Sequence, residues 1–417
     1  MDMDIKTWAI EGSNRFRDVW EFNDFWKRSN TFHAFLCFVD AAEQRWGNDP
    51  AIQPMKDLRA KMIKDNDSYF NKFIGGTGVW ADDYGWCGIS CLAARDYLHS
   101  IGDEPGATRY LNRAEQCWEQ MRTTGYDSSN DATPVPHGCG NVSPERKPAQ
   151  GYGTKNTVTN ANLLLLSLRL YAATKSTSYL SMAYAQYKWF DTWFALNYNS
   201  LDAGPYMRVV SLGPIYGLIH ERPMAKNSYT QTDYPIWNKG WVWTGDQGLM
   251  IIALAELFLM RDDFSQFPGF DSERVCVVCK EIAVGVEKLL FGADKVLREA
   301  PFHASFDSYY APDYVGGRGV LLRYASEKAV REVWHAPFDL EGIRATAAAV
   351  WNSRDLNNNQ FASLWNEDGD GAFNKNFVEA WGTGDPSIGS WVLNPSDYFG
   401  VLQATGLDAL TAAMRLG

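Results

Sequence analysis

Hydrophobic and polar positions run along this chain in paired blocks. A nearly all-apolar stretch at 163–173 (LLLLSLRLYAA) is followed by a polar turn, Thr174-Lys175-Ser176-Thr177, and then by an amphipathic stretch at 179–194. The same plan recurs at 90–98 with 110–121, at 249–260 with 272–291, and at 320–326 with 340–354. Apolar residues three and four apart predict helices, whereas sustained period-2 alternation and Asn-Gly or Asp-Gly turns between β-branched runs are missing. A further pair fits 31–42 with 52–64, and 398–416 supplies another helix. Leu92, Leu164, Met250 and Leu322 occupy equivalent positions, spaced by 72, 86 and 72 residues. A two-helix repeat cannot bury its own apolar face, so such repeats must stack. First helices that are apolar all round suit an inner ring, and second helices with one charged face suit an outer ring in water. Six hairpins closing on themselves predict an all-α (α/α)6 toroid, one domain over residues 1–417, with an open superhelix as the alternative. Long Gly- and Trp-rich loops ahead of the inner helices favour closure, because they gather at one end of a ring and wall a cleft.

Composition narrows the function. Apolar residues make up 46% of the 417 and charged residues 21%, which excludes disorder as the main state. Lys and Arg number 39 against 50 Asp and Glu, a net charge of −11 that speaks against nucleic acid and anionic membranes as partners. The longest apolar run, 249–260, holds Glu256 and is too short to span a bilayer, so it reads as a buried helix. Seventeen tryptophans fit either a large aromatic core or a cleft whose walls stack on sugar rings. Seven cysteines, an odd count, argue against a complete disulfide framework, and most sit in apolar runs as small hydrophobes. Met1-Asp2-Met3-Asp4 has neither the basic nor the apolar region of a signal peptide.

Chemistry concentrates in the loops that enter the inner helices. The sharpest is Gly75-Gly76-Thr77-Gly78-Val79-Trp80-Ala81-Asp82-Asp83-Tyr84-Gly85-Trp86. One aspartate at a helix start is explained as a cap. A second, between Trp80 and Trp86, is not. Neighbouring carboxyls at such a place can lie roughly 5 Å apart, the separation of a retaining glycosidase pair. Like charges so close drive their pKa values apart, so one can act as acid while the other attacks. In the second loop, 151–160, Lys155 and Asn156 offer donors to sugar hydroxyls, and the order of a phosphate loop is absent. The third holds Trp243, Asp246 and Gln247; Asp246 reads either as a cap or as a third carboxylate within about 6 Å of the pair, which would raise one pKa and favour an acid optimum. Arg318 and Arg323 lie in a fourth, and Trp381, Asp385 and Trp391 in a fifth. No metal is expected: Cys276-Val-Val-Cys279 has no second ligand pair nearby, and no His-Glu-x-x-His occurs.

At these loops the sequence resembles glycoside hydrolase family 76, the endo-α-1,6-mannanases. Trp80-x-Asp82-Asp83-x-x-Trp86 resembles the family's double-aspartate motif, and Lys155-Asn156-Thr157-x-x-Asn160-Ala161 its Lys-Asn segment. Trp243-Thr244-Gly245-Asp246-Gln247-Gly248 is similar to a third motif, except that Gly245 stands where the family has Tyr and Asp246 where it has Asn. Val296-Leu297-Arg298-Glu299 and Gly319-Val320-x-x-Arg323-Tyr324 resemble later landmarks, whereas the stretch from His137 to Asn141 lacks the family's paired Trp. The resemblance implies an (α/α)6 barrel and a retaining mechanism without metal, Asp82 as nucleophile and Asp83 as acid/base; the water-poor, aromatic walls of the cleft are expected to raise the pKa of the acid, and no cofactor is expected. An oligo- or polysaccharide substrate and a monomeric state are expected, and the resemblance favours secretion. Trp80, Trp86, Lys155, Asn156, Trp243, Asp246, Gln247, Arg318 and Trp391 are the candidate substrate-binding residues. Two other readings stay open: a carbohydrate-binding protein that does not hydrolyse, since fold alone never establishes activity, and a sugar isomerase or epimerase on the same toroid.

Overall fold

The computed structural model describes residues 2–21, 24–129, 137–199, 209–213, 216–222, 242–299, 316–334, 338–362, 365 and 396–417. Among them, twelve helices of nine or more residues carry the fold. They are α1 (Asp2–Val19), α2 (Phe25–Trp46), α3 (Gln53–Phe73), α4 (Ala81–Ser100), α5 (Glu104–Thr124), α6 (Thr157–Thr174), α7 (Thr177–Asn199), α8 (Thr244–Leu259), α9 (Ser272–Leu289), α10 (Gly317–Ala325), α11 (Leu340–Asn352) and α12 (Ser396–Leu416). Each expected helix is present, and α1 is additional. Its buried stripe of Ile5, Ala9 and Phe16 is thin and polar residues surround it, which hides the period in the sequence. None of the described helices is long and apolar enough to cross a membrane.

Local chemistry sets the helix ends. Asp24, Asp103 and Asn156 accept backbone N–H bonds from Lys27, Gly106 and Thr159 at the starts of α2, α5 and α6. Pro105 occupies the first turn of α5, where its missing N–H costs nothing. The inner-helix reading holds at the level of burial: Leu92, Leu164, Met250 and Leu322 are all buried, and α6 is buried without a break from Thr157 to Leu168. One small antiparallel hairpin, β1 (Val209–Gly213) with β2 (Tyr216–Ile219), departs from the helix-only expectation. Its strands are too short to show an alternation.

The chain divides into two compact units, each built from separate stretches: Met1–Met62 with Trp243–Gly248 and Ala283–Gly417, and Ile63–Val242 with Leu249–Ile282. In the first, α12 is the hub, packing on α1, α2, α10 and α11. Arg323, fully buried on α10, donates to the Asn30 carbonyl and side chain on α2 at 3.0 and 2.7 Å and pairs with Asp408 on α12 at 3.4 Å. It is a pin between three helices, so its expected place in a cleft gives way to a place in the core. In the second unit α4 pairs with α5, α6 with α7, and α4 lies against α6. The Trp118 indole N–H on α5 donates to Ser167 on α6 at 2.9 Å. None of the seven cysteines forms a disulfide, and all but Cys276 are buried.

Candidate active site

In the second unit the loops ahead of α4 and α6 meet. Ala81 N–H donates to the Val142 carbonyl and Asn141 N–H to the Thr154 carbonyl, which ties the two loops edge to edge. Gly140 permits this contact: a Cβ there would stand 1.8 Å from the Tyr152 carbonyl oxygen. Asn160, on the first turn of α6, locks the loop from below. Its side chain accepts from Cys139 N–H at 2.7 Å and donates to the Cys139 and Asn156 carbonyls at 2.9 and 2.7 Å. Asn141 is thereby held against Asp82, whose N–H reaches the Asn141 side-chain oxygen at 3.5 Å.

Asp82 and Asp83 lie on the first turn of α4 and are half-buried. Asp83 folds back to accept Trp80 N–H at 3.1 Å, the capping role that explains one aspartate of the pair. Asp83 N–H in turn donates to Asp82 Oδ1 at 3.1 Å. Burial pushes the Asp82 carboxyl up to about 6, against the pull of that N–H and of Asn141, and Glu221 adds a like charge. Glu221 was not foreseen. It follows β2, accepts from Asn156 Nδ2 at 3.3 Å, pairs with Arg222, and receives Thr157 N–H on its own carbonyl at 2.6 Å. No periodicity marks such a residue in a sequence.

The other candidates of this unit have structural tasks. Lys155 is buried and bonded to Asp127 at 3.1 Å. Burial lowers the lysine more than its partner raises it; for Asp127, burial works upward but loses to the Ser129 and Lys155 bonds, which leave it below the usual carboxylate range. Asn156 caps α6. The Trp80 ring carries the Arg146 guanidinium at 4.8 Å, and Trp86, 4% exposed, is core where a sugar platform was expected.

In the first unit the loops ahead of α8 and α10 meet around Glu299. Its carboxylate accepts the Arg318 N–H at 3.1 Å and also bonds Thr244 through hydroxyl and backbone, so one buried side chain caps two helices. Burial pushes Glu299 up to about 7 against the Arg318 charge, and brings Arg318 down to about 10. Arg318 lies 3.8 Å from the Trp365 ring centroid. The Trp243 indole covers Gly245, where a Cβ would stand 2.4 Å from the ring, and touches Gly317. This explains the Gly245 departure: the space of a side chain is taken by Trp243. Gln247 bonds back to the Trp243 carbonyl at 3.0 Å, and Asp246 is buried in the first turn of α8. Trp381, Asp385 and Trp391 lie outside the described residues.

Residues 8–204 match the family model of glycosyl hydrolase family 76. That segment holds the Asp82–Asp83 and Lys155–Asn156 motifs. No curated protein matches the chain. Among solved structures, the α-1,6-mannanase GH76A of Salegentibacter sp. HEL1_6 is similar at 13% identity and a TM-score of 0.58, covering 99% of this chain and 100% of its own. A family 76 glycoside hydrolase from a bovine Bacteroides thetaiotaomicron strain is 14% identical with a TM-score of 0.61, over 99% of this chain and 77% of that one. Dfg5 from Chaetomium thermophilum, solved with glucosamine, is 15% identical with a TM-score of 0.61, over 99% and 91%. The all-α toroid class expected from the helix pairs is the fold of these family 76 structures.

Proposed function

We propose that this protein is a retaining glycoside hydrolase that cleaves α-1,6-mannosidic linkages within mannan-type polysaccharide. The observation that carries this reading is the adjacent Asp82–Asp83 pair on the first turn of α4, inside the segment that matches family 76. A variant of the Salegentibacter mannanase with two adjacent aspartates changed to asparagine, described as inactive, was solved with α-1,6-mannotriose, which supports a pair of this kind as the reacting groups. Asp82 attacks the anomeric carbon and forms a glycosyl ester while the leaving oxygen takes a proton from Asp83. Asp83 then removes a proton from water, which attacks the ester and frees Asp82. The Asp83 N–H bond to Asp82 orients the nucleophile, and the Trp80 N–H holds the Asp83 carboxyl in place. Asp82 must be ionised to attack, so its upward shift sets the acid limit of the reaction.

Hydrolysis of α-1,6-mannan, followed by product analysis, tests the roles. Asp83→Asn is expected to lower turnover by about 10²–10⁴-fold and Asp82→Asn at least as much, with unchanged circular dichroism. Near-wild-type turnover in both variants rejects them. The departures at Gly245 and Asp246 favour one second reading, a carbohydrate-binding protein that does not hydrolyse. Calorimetric binding of an α-1,6-manno-oligosaccharide with no product on long incubation supports that reading instead.

A further inference from the structure

We propose that His33, Cys37 and Glu327 form a binding site for a thiophilic divalent metal ion of the zinc class. His33 and Cys37 stand four residues apart on α2, so both side chains leave the same face of the helix one turn apart. Glu327 follows α10 in the chain. One imidazole nitrogen, the Cys37 sulfur and a Glu327 carboxylate oxygen all lie within 4.8 Å of one another. Zinc bonds of about 2.0–2.3 Å put tetrahedral ligand atoms roughly 3.3–3.8 Å apart, so about 1 Å of side-chain movement closes the site. The Tyr324 hydroxyl approaches His33 Nδ1 at 3.5 Å and orients the ring, as outer-shell partners do for metal-bound histidines. Two ligands are buried and Glu327 is half-buried, which leaves an entry path on its side.

Charge and ligand softness fit as well. A thiolate and a carboxylate balance a dication, and the histidine binds neutral. Arg415 hydrogen-bonds the Cys37 sulfur and faces Glu327, and it also pairs with Asp40 at 3.6 Å, the partner it keeps when an ion takes the other two. Sulfur and imidazole nitrogen select against calcium and magnesium. Binding exchanges the Cys37 S–H bond for a sulfur–metal bond, and the proton passes to solvent. The proposed hydrolysis uses none of the three residues. An ion here ties α2 to the end of α10, two helices that both pack on α12.

The test is a titration of the full-length protein, stripped with a chelator, with Co²⁺ as the probe. One equivalent is expected to bind, with a near-ultraviolet sulfur-to-cobalt band that Zn²⁺ abolishes, and Zn²⁺ is expected to raise the Tm. Cys37→Ser removes the band, Cys279→Ser keeps it, and Glu327→Gln weakens binding by about tenfold or more. Because the wild-type titration stands alone, a misfolded variant does not shield the proposal. If wild-type protein shows no thiolate band and binds neither Co²⁺ nor Zn²⁺ at micromolar concentration, the cluster is only the polar surroundings of Arg415. A band that persists in Cys37→Ser overturns it too.

Discussion

At the scale of single residues, the site rests on Asp82 and on what holds it. Three hydrogen-bonding groups, the Asp83 N–H, its own N–H and Asn141, work against the burial that raises its carboxyl to about 6. Removing one of them leaves burial less opposed. Asn141→Ala is therefore expected to move the Asp82 titration above 6, and with it the acid limb of the kcat/KM profile. Carbon-detected NMR of the Asp82 carboxyl reads the shift without any need for turnover; a titration identical to wild type removes Asn141 from this role. The sequence pointed at the pair but not at this support. Asp82 and Asp83 stand out because two carboxylates between tryptophans exceed what a cap requires. Asn141 and Asn160 act through backbone contacts between loops 60 to 80 residues beyond the pair, and no spacing rule connects them.

At the scale of elements, the start of α8 shows how a departure from the family pattern is absorbed. Trp243 lies across Gly245, with ring atoms 2.4 to 2.6 Å from the position of a Cβ. Gly245→Ala forces the indole to move and is expected to cost about 1–3 kcal/mol by overpacking. In a Trp243→Ala background the same change is expected to be nearly neutral, so a double-mutant cycle by urea denaturation gives a coupling of that size. Additive effects would mean that the ring does not depend on this glycine. The paired helices were legible because burial on one face leaves a period of 3.6 in the sequence. Thin amphipathicity hid α1, and short strands hid the hairpin after α7. Glu221 escaped because it works from a segment without regular period, and Glu299 showed only as part of a landmark of the resemblance, without its role as a partner of two helix starts.

At the scale of the whole molecule, buried carboxylates make stability depend on pH in a definite direction. Asp82 rises from an ordinary 3.8 to about 6, and Glu299 from 4.5 to about 7, each chiefly through burial. The folded chain therefore holds both protons more tightly than the unfolded chain does. Their contribution is fully present below about pH 4 and is lost as pH rises through 6 and 7. Asp127 works the other way, since its bonds to Ser129 and Lys155 depress it, and its contribution fades as pH falls below the usual carboxylate range. Arg318, lowered to about 10, titrates too high to matter between these limits. The Tm is thus expected to be highest near pH 5 and to decline toward pH 8. Glu299→Gln keeps an acceptor for Arg318 N–H and removes one titrating group, so the decline from pH 5 to 8 is expected to be shallower in this variant than in wild type, even if its absolute Tm is lower. Differential scanning fluorimetry across that range decides it: a wild-type Tm that is flat or rises with pH, or an equal slope in the variant, contradicts the protonated state assigned to these buried groups.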